Sequence, residues 1–472
     1  TAKFYIDKID EKALDKDDFP FYIYLKANIF NNISLKKLLA TEYIYDRNYG
    51  YKTFVEIYKK LSQKELQKAV DILISKRMYK RALDIMPLLK SSNKNLYYYL
   101  YLNVKIKDIK RAKYYLSQIN PDSKWYAVGL YILGYYAKSW KERKYYFKQL
   151  LNTKNHKYIK KLGTVLMKKA FHYKKNDYFL YFKKFLPLSE EKVWYTFLYK
   201  YFYKNKKIAY RYLLKNKDFI KNKNKLNYWL YLSSKNKKYL YKVRNSKKMD
   251  FYKVISANVI KTYPHRVSLK KNRLIEILKK NGDLYKWAYR EANYFYKKTG
   301  NLDYLKQVMP EVIVRSLTPD ERYIKPFGSL NPLVYAIMKQ ESLFYYKAIS
   351  FSNAVGLMQF VPKTAYWTAQ KRKDKYFDIT HMFNPYISID YGRWYLKYLL
   401  NMFNGNVFYT VASYNGGATN VKKTLKRFNP KNIAEFVETH PFDETRDYVK
   451  KVYTNYVIYK KLSEDKVVYR AH

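Results

Sequence analysis

The stretch A336-IMKQESLFYYKAISFSNAVGLMQFVPKT-A365 carries one carboxylic acid, Glu341, inside an apolar helical pattern, and a Gly-Leu-Met-Gln turn follows within twenty residues. Asn331-Pro332 reads as a helix start, with Pro at an early helical position. The pattern predicts a helix from Leu333 to about Tyr346 with Glu341 near its middle. Residues three and four apart share a helix face, so Ile337, Met338, Phe344 and Tyr345 are the expected neighbours of Glu341. Such surroundings disfavour a carboxylate and raise its pKa, which keeps a Glu protonated and fit to act as a general acid. A Glu within a helix is ordinarily a solvated surface residue. Here the apolar face and the Gly-containing turn argue against that.

Working outward, glycine and proline divide the chain. Of 13 prolines only Pro20, Pro87, Pro121 and Pro187 precede residue 250, and half of the 12 glycines lie from Gly328 onward. The first half is therefore poor in helix breakers. It repeats a loose unit: KRALDIMPLL from Lys80, RAKYYLSQI from Arg111, ERKYYFKQLL from Glu142 and IAYRYLLKN from Ile208. The first three start about 30 residues apart, as stacked helical hairpins would. Tyr263-Pro264 marks a turn, and Asn281-Gly282 and Thr299-Gly300-Asn301 read as helix ends. After about residue 313 short breaks become frequent, among them Pro319, Pro326, Gly328, Gly356, Gly405 and Gly416-Gly417. Sustained period-2 alternation is missing, so any sheet is minor. The expected fold is all-α. It has an N-terminal helical-hairpin superhelix (a solenoid, 1–250), a helical linker domain (251–312) and a compact C-terminal α domain (313–472).

Composition narrows the partners without naming one. The 472 residues carry 95 basic against 38 acidic side chains, a formal charge of +57. Such a charge attracts anionic polymers over about 8–10 Å. The lysines are spread along the whole chain, as abundant Lys, Asn, Tyr, Ile and Phe from AT-rich codons would leave them. A basic helical-repeat protein binding nucleic acid is one reading, but no nucleic-acid motif is visible. Without cysteine there is neither disulfide nor thiolate metal site. The six histidines show no ligand spacing, so no metal or other cofactor is expected. The apolar run Trp125 to Ala137 is too short to span a membrane, which takes about 20 residues, and is expected to be a buried core helix. The chain opens at Thr1 with no signal-like apolar segment; a truncated chain and a mature exported protein both fit.

The motifs decide further. Glu341-Ser342, Ser350 nine residues after the Glu, Gly356-Leu-Met-Gln359, then ASYNGG (412–417) and PFDETRDYV (441–449) resemble, in order, the motifs of the soluble lytic transglycosylases with a goose-type-lysozyme-like catalytic domain. The resemblance covers about residues 331 to 450, and implies that the C-terminal domain is lysozyme-like. It implies cleavage of the β-1,4 bond between N-acetylmuramic acid and N-acetylglucosamine in peptidoglycan, with a 1,6-anhydro product. Glu341 matches the sole catalytic acid, and Ser350 a residue beside the sugar and its acetamido group. Met358 and Gln359 match residues lining the glycan cleft. Tyr414 matches a Tyr reaching toward the reacting sugar, with Asn415 following it, and Glu444 matches a Glu bordering the substrate. Glycan strands and stem peptides are the implied partners, with cell-wall synthases as candidates. The implied location is the periplasm, after removal of a signal peptide.

One-acid chemistry also has a physical argument. A typical glycosidase uses two carboxylates, about 5–5.5 Å or 6.5–9.5 Å apart. From Ser342 to Thr364 there is no Asp or Glu. A nucleophile inside the substrate removes the need for a second acid, although Glu444 could approach in space. A lysozyme-type hydrolase of the same bond is the alternative. Taken singly, Asn415-Gly416 is a common turn dipeptide. Glu444 and Arg446 could be surface charges on the first turn of a final helix. The chain also departs from the family pattern: Asn353 stands where Gly is frequent, and Asn tolerates positive φ. Gly417, Val361 and Asp447 differ as well.

Overall fold

The computed structural model describes residues 6, 8, 9, 11, 14, 18–248, 250–256, 330–350 and 352–464. The turns read at Tyr263-Pro264, Asn281-Gly282 and Thr299-Gly300-Asn301, the breaks at Pro319, Pro326 and Gly328, and nearly all of the expected linker lie outside them. The described residues form helices and turns, with two isolated bridges, Ile349–Val355 and Val355–Phe360, in place of a sheet. The chain divides into two compact units. One comprises Thr1–Ala170 and Lys175–Pro187, the other Phe171–Lys174 and Leu188–His472.

In the first unit helices pack on the next one or two along the chain. Helix α1 (Asn93–Lys105) lies against α2 (Ile109–Gln118) and α3 (Lys124–Tyr136), and α3 against α4 (Trp140–Asn152). Side-chain caps set the helix starts: Asp108 accepts from the Arg111 amide at 3.0 Å and Ser139 from the Glu142 amide at 3.1 Å. The repeat motifs fall on the second helix of each pair. Their small residues, Ala82 and Ala112, are fully buried where helices cross. In α3, the apolar run expected to be a core helix, a Cβ on Gly129 would stand 2.8 Å from Leu116 Cδ1, so glycine permits the close crossing.

Helices pair in the same way at the start of the second unit. It contains the end of α5 (His156–His172), then α6 (Glu190–Tyr203), α7 (Lys223–Ser234) and α8 (Phe251–Ser256). Farther along the chain the described residues form α9 (Pro332–Ser342), α10 (Pro362–Arg372), α11 (Pro385–Met402), α12 (Val407–Gly416), α13 (Ala418–Phe428), α14 (Ile433–Thr439) and α15 (Asp443–Glu464). Buried polar groups join the two sets. Glu438 on α14 accepts from Trp194 Nε1 at 3.0 Å, from Tyr252 Oη at 2.6 Å and from Lys450 Nζ at 2.7 Å. Lys225 Nζ lies 3.8 Å from the same carboxylate and 3.6 Å from the Trp194 ring centre. Burial alone would neutralise Glu438; the facing cations of Lys225, Lys450 and Arg446 outweigh it and hold the carboxyl well below its usual range.

Arg446, on the first turn of α15, is buried rather than a surface charge. It donates to the His440 carbonyl at 2.6 Å and to Tyr195 Oη at 3.0 Å, and it pairs with Asp443. His172 Nδ1 lies 3.0 Å from the Thr439 carbonyl, which can only accept, so Nδ1 carries the proton. Nε2 then accepts from Tyr195 Oη and Arg446 Nη1, each at 3.1 Å.

Candidate active site

Asn331 caps α9 by accepting from the Leu333 amide at 2.8 Å, and Pro332 opens the helix, as the sequence predicts. The far end differs from expectation. The helix stops at Ser342 because Leu343 (φ 52°) and Phe344 (φ 65°) both take the left-handed conformation. Glu341 therefore sits in the last turn and not mid-helix. Ile337 and Met338 flank it and are fully buried, whereas Phe344 and Tyr345 leave its face and Tyr345 is exposed.

Helix α15 supplies the missing wall. Tyr448 Oη donates to Glu341 Oε1 at 2.6 Å. Burial pushes the Glu341 carboxyl up to about 7. The Tyr448 hydrogen bond pulls it down, and the nearby charge of Glu444 pushes it up. Its place at a helix C-terminus, where partial negative charge gathers, also disfavours ionisation. Glu341 is thus poised to give and take a proton near neutral pH.

The loop from Ala348 to Phe360 stands beside the acid helix. Ser350 Oγ accepts from the Ser352 and Ala354 amides at 3.2 and 3.0 Å, turning the chain. Asn353 takes φ 57° there, the conformation Asn tolerates. Gly356 has φ 80°, and a Cβ on it would meet the Met382 carbonyl at 2.0 Å, so only glycine fits. Gln359 Nε2 donates to the Ala348 and Gly356 carbonyls at 3.0 and 2.9 Å, stitching the loop closed. Met358 is fully buried, and a Cβ on Gly392 would stand 2.4 Å from its Cε. It is the Met358 carbonyl that meets the site, accepting from Tyr414 Oη at 2.7 Å. Burial first, then the Glu341 charge, push the Tyr414 phenol well up, which places it on the acid's side of α12. Asn415 Oδ1 accepts from Thr445 Oγ1 at 2.7 Å, tying α12 to α15. Glu444 is exposed at the start of α15.

Glu341, Met358, Tyr414 and Glu444 thus converge on one site, while Ser350, Gln359 and Asn415 hold its frame. The sequence reading passed over Tyr448, although it lies one helical turn after Glu444, on the same face. The roles of Ser388, whose Oγ accepts from the Met358 amide at 3.2 Å, and of Gly392 had no such signal.

This ordered set of elements recurs in known proteins. The family model for the Transglycosylase SLT domain matches residues 321–437. The chain carries a transglycosylase SLT domain. A putative soluble lytic murein transglycosylase of Haemophilus influenzae is 38% identical over 132 residues, 28% of this chain and 22% of that protein. The membrane-bound lytic murein transglycosylase C of Yersinia enterocolitica is 28% identical over 214 residues, 38% of this chain and 60% of that protein. The chain therefore spans only part of the length of these curated relatives. Among solved structures, the 70 kDa soluble lytic transglycosylase of Escherichia coli superposes with a TM-score of 0.56 at 16% identity, covering 98% of this chain and 84% of that one. An inactive mutant of lytic transglycosylase Slt from Pseudomonas aeruginosa gives 0.55 at 18% identity, with the same coverage. The fold is thus shared along nearly the whole chain. The residues matched by the family model, 321–437, include Glu341.

Proposed function

We propose that the chain is a lytic murein transglycosylase that cuts the β-1,4 bond between N-acetylmuramic acid and N-acetylglucosamine. The observation that carries this reading is the Glu341 carboxyl, buried in the SLT domain, lifted to about 7 and fixed by Tyr448. Protonated Glu341 gives its proton to the glycosidic oxygen as the bond to muramic C1 breaks. The carboxylate so formed then takes the proton of the C6 hydroxyl as that oxygen closes on C1. The acid is regenerated, no water is consumed, and the product ends in a 1,6-anhydro sugar. Tyr414 borders the reacting sugar, and the Met358 carbonyl fixes its phenol. We assign Ser350, Gln359, Asn415 and Glu444 to the border and frame of the same cleft.

The reading includes a superhelical, a linker and a lysozyme-like part divided near residues 250 and 312, and action in the periplasm. Helix pairing supports the superhelical part. No helix among the described residues is long and apolar enough to cross a membrane. Cell-wall synthases are the candidate protein partners.

One observation favours a second reading. Glu444 is close enough for its charge to act on Glu341, as a second carboxylate would in a hydrolase using water. Mass spectrometry of muropeptides released from purified peptidoglycan, after borohydride reduction, separates the two. Products one water lighter than hydrolytic ones, resistant to reduction and absent with Glu341→Gln, are expected. Reducible ends would make the chain a lysozyme-type hydrolase, and release undiminished by Glu341→Gln would remove the acid assignment.

A further inference from the structure

Arg446 and Tyr448 stand two residues apart near the start of α15, so their side chains leave the helix about 200° apart. Arg446 meets Tyr195 on α6, and Tyr448 meets Glu341 on α9. The start of α15 is thus held from two sides. A rotation or slide of the helix that disturbed one contact would disturb the other.

The hold on the Arg446 side is built from buried groups. A guanidinium carries five donors and no acceptor, and once buried it must be met by acceptors. Nη2 donates to Tyr195 Oη at 3.0 Å, while Nη1 reaches His172 Nε2 at 3.1 Å and the His440 carbonyl at 2.6 Å. Tyr195 Oη extends the network by donating to His172 Nε2 at 3.1 Å. The His172 main chain is fixed in turn, its carbonyl accepting from Arg427 Nη1 at 2.8 Å. Tyr195 and His172 are 4% and 2% exposed. The Asp443 carboxylate also pairs with Arg446, but its side chain is 62% exposed, and an ion pair so open fixes little. Helix α6 holds α14, which leads into α15, as well: Tyr201 Oη donates to Glu435 at 2.8 Å and Trp194 Nε1 to Glu438 at 3.0 Å.

We infer that Tyr195 and His172 are positioning residues for Glu341: by seating Arg446 they set the start of α15, and with it the Tyr448 phenol that orients the acid. Both lie outside residues 321–437, which match the SLT model. Resting on the transglycosylase reading, the upstream helices become part of what keeps the acid within the roughly 0.5 Å that productive geometry allows.

Tyr195→Phe tests this, since it keeps the ring against Phe171 and removes only the hydroxyl. In turnover of soluble glycan strands, kcat should fall roughly tenfold with KM unchanged, and the alkaline limb of the pH–rate profile should move upward as the Tyr448 bond to Glu341 loosens. Added to Tyr448→Phe, the change should cost nothing further, because the two act in series. Losses that multiply in the double variant, a raised KM at full kcat, or an unmoved limb would overturn the inference. A second pair of variants guards against misfolding of the first. His172→Gln retains a donor for the Thr439 carbonyl and an acceptor for Arg446, and should keep most of the rate. His172→Leu retains neither and should repeat the loss; equal rates for the two would count against the network. Urea unfolding supplies a readout without turnover, the pH above which Glu341→Gln stabilises the chain. That pH should rise on Tyr195→Phe. A rise in a chain that releases no muropeptides would sink the transglycosylase reading and leave the positioning, and release with no rise does the reverse.

Discussion

Tyr448 and Glu341 lie 107 residues apart in sequence, on α15 and α9, and their side chains meet through a 2.6 Å hydrogen bond. The phenol stabilises the charged form of the acid, while burial and Glu444 oppose it. The level near 7 is therefore a balance of opposing effects, and removing one moves it in a known direction.

Tyr448→Phe keeps the ring and removes the donor. The Glu341 pKa should rise, so the alkaline limb of the pH–rate profile should move upward by about one pH unit or less. The rate at the optimum should fall roughly ten- to a hundredfold, as the carboxyl loses its fixed orientation. A profile that stays in place or moves to lower pH would contradict this balance.

Glu341→Gln should stabilise the protein selectively. The folded carboxyl titrates near 7 against an ordinary 4.5, so folding favours the protonated form. That contribution is complete below pH 4.5 and is lost as pH rises through 7, where a buried charge remains at a cost of about 3 kcal/mol. Glutamine never ionises. Thermal melts should therefore show a gain of several degrees for Glu341→Gln at pH 8 and little at pH 4.5. Equal gains at the two pH values would mean the carboxyl is not held as described.

His440 works in the opposite sense. It is buried, and burial first, then the Arg446 charge, push it down to about 4 from an ordinary 6.5. Below 6.5 the unfolded chain takes up a proton that the folded ring refuses, so stability is lost as pH falls from 6.5 to 4. Replacement by glutamine should flatten that decline. The stability difference between the parent and His440→Gln, measured by urea unfolding, should shrink by roughly 2–3 kcal/mol across this window. A constant difference would place the titration elsewhere.

The sequence made the helical class legible because the repeat motifs put Ala82 and Ala112 at buried crossings. It made helix ends far less legible. Glycine is the usual left-handed residue after a helix, but here Arg77, Lys107 and Lys373 take it at φ 60°, 70° and 61°. The amides of Met78, Asp108 and Asp374 close those turns on the carbonyls of Leu73, Asn103 and Ala369 at 2.8, 2.9 and 3.0 Å. The same chemistry at Leu343 and Phe344 hid the end of α9. The motifs that carry Glu341, Tyr414 and Glu444, proposed above as site residues, were readable because the spacing within each is local. The contacts of α6 and α8 with α14 were not, since Trp194 and Tyr252 reach Glu438 across 244 and 186 residues.

That long-range junction gives the final prediction. Glu438 is buried among Lys225, Lys450 and Arg446, and burial pushes the Lys225 ammonium down to about 8 despite the facing carboxylate. Removing one member of a buried charge cluster leaves the others uncompensated, which costs about 3–5 kcal/mol, more than the net worth of the cluster. Glu438→Gln should lower unfolding stability by that amount. The loss should be partly recovered when Lys225→Met is added, because one stranded cation then disappears while its stem still packs on Trp194. Equilibrium urea unfolding of the single and double variants checks both parts. A neutral effect of Glu438→Gln, or a double variant no better than the single, would show that the cations find water and that the junction rests on the aromatic packing of Trp194 and Tyr252 instead.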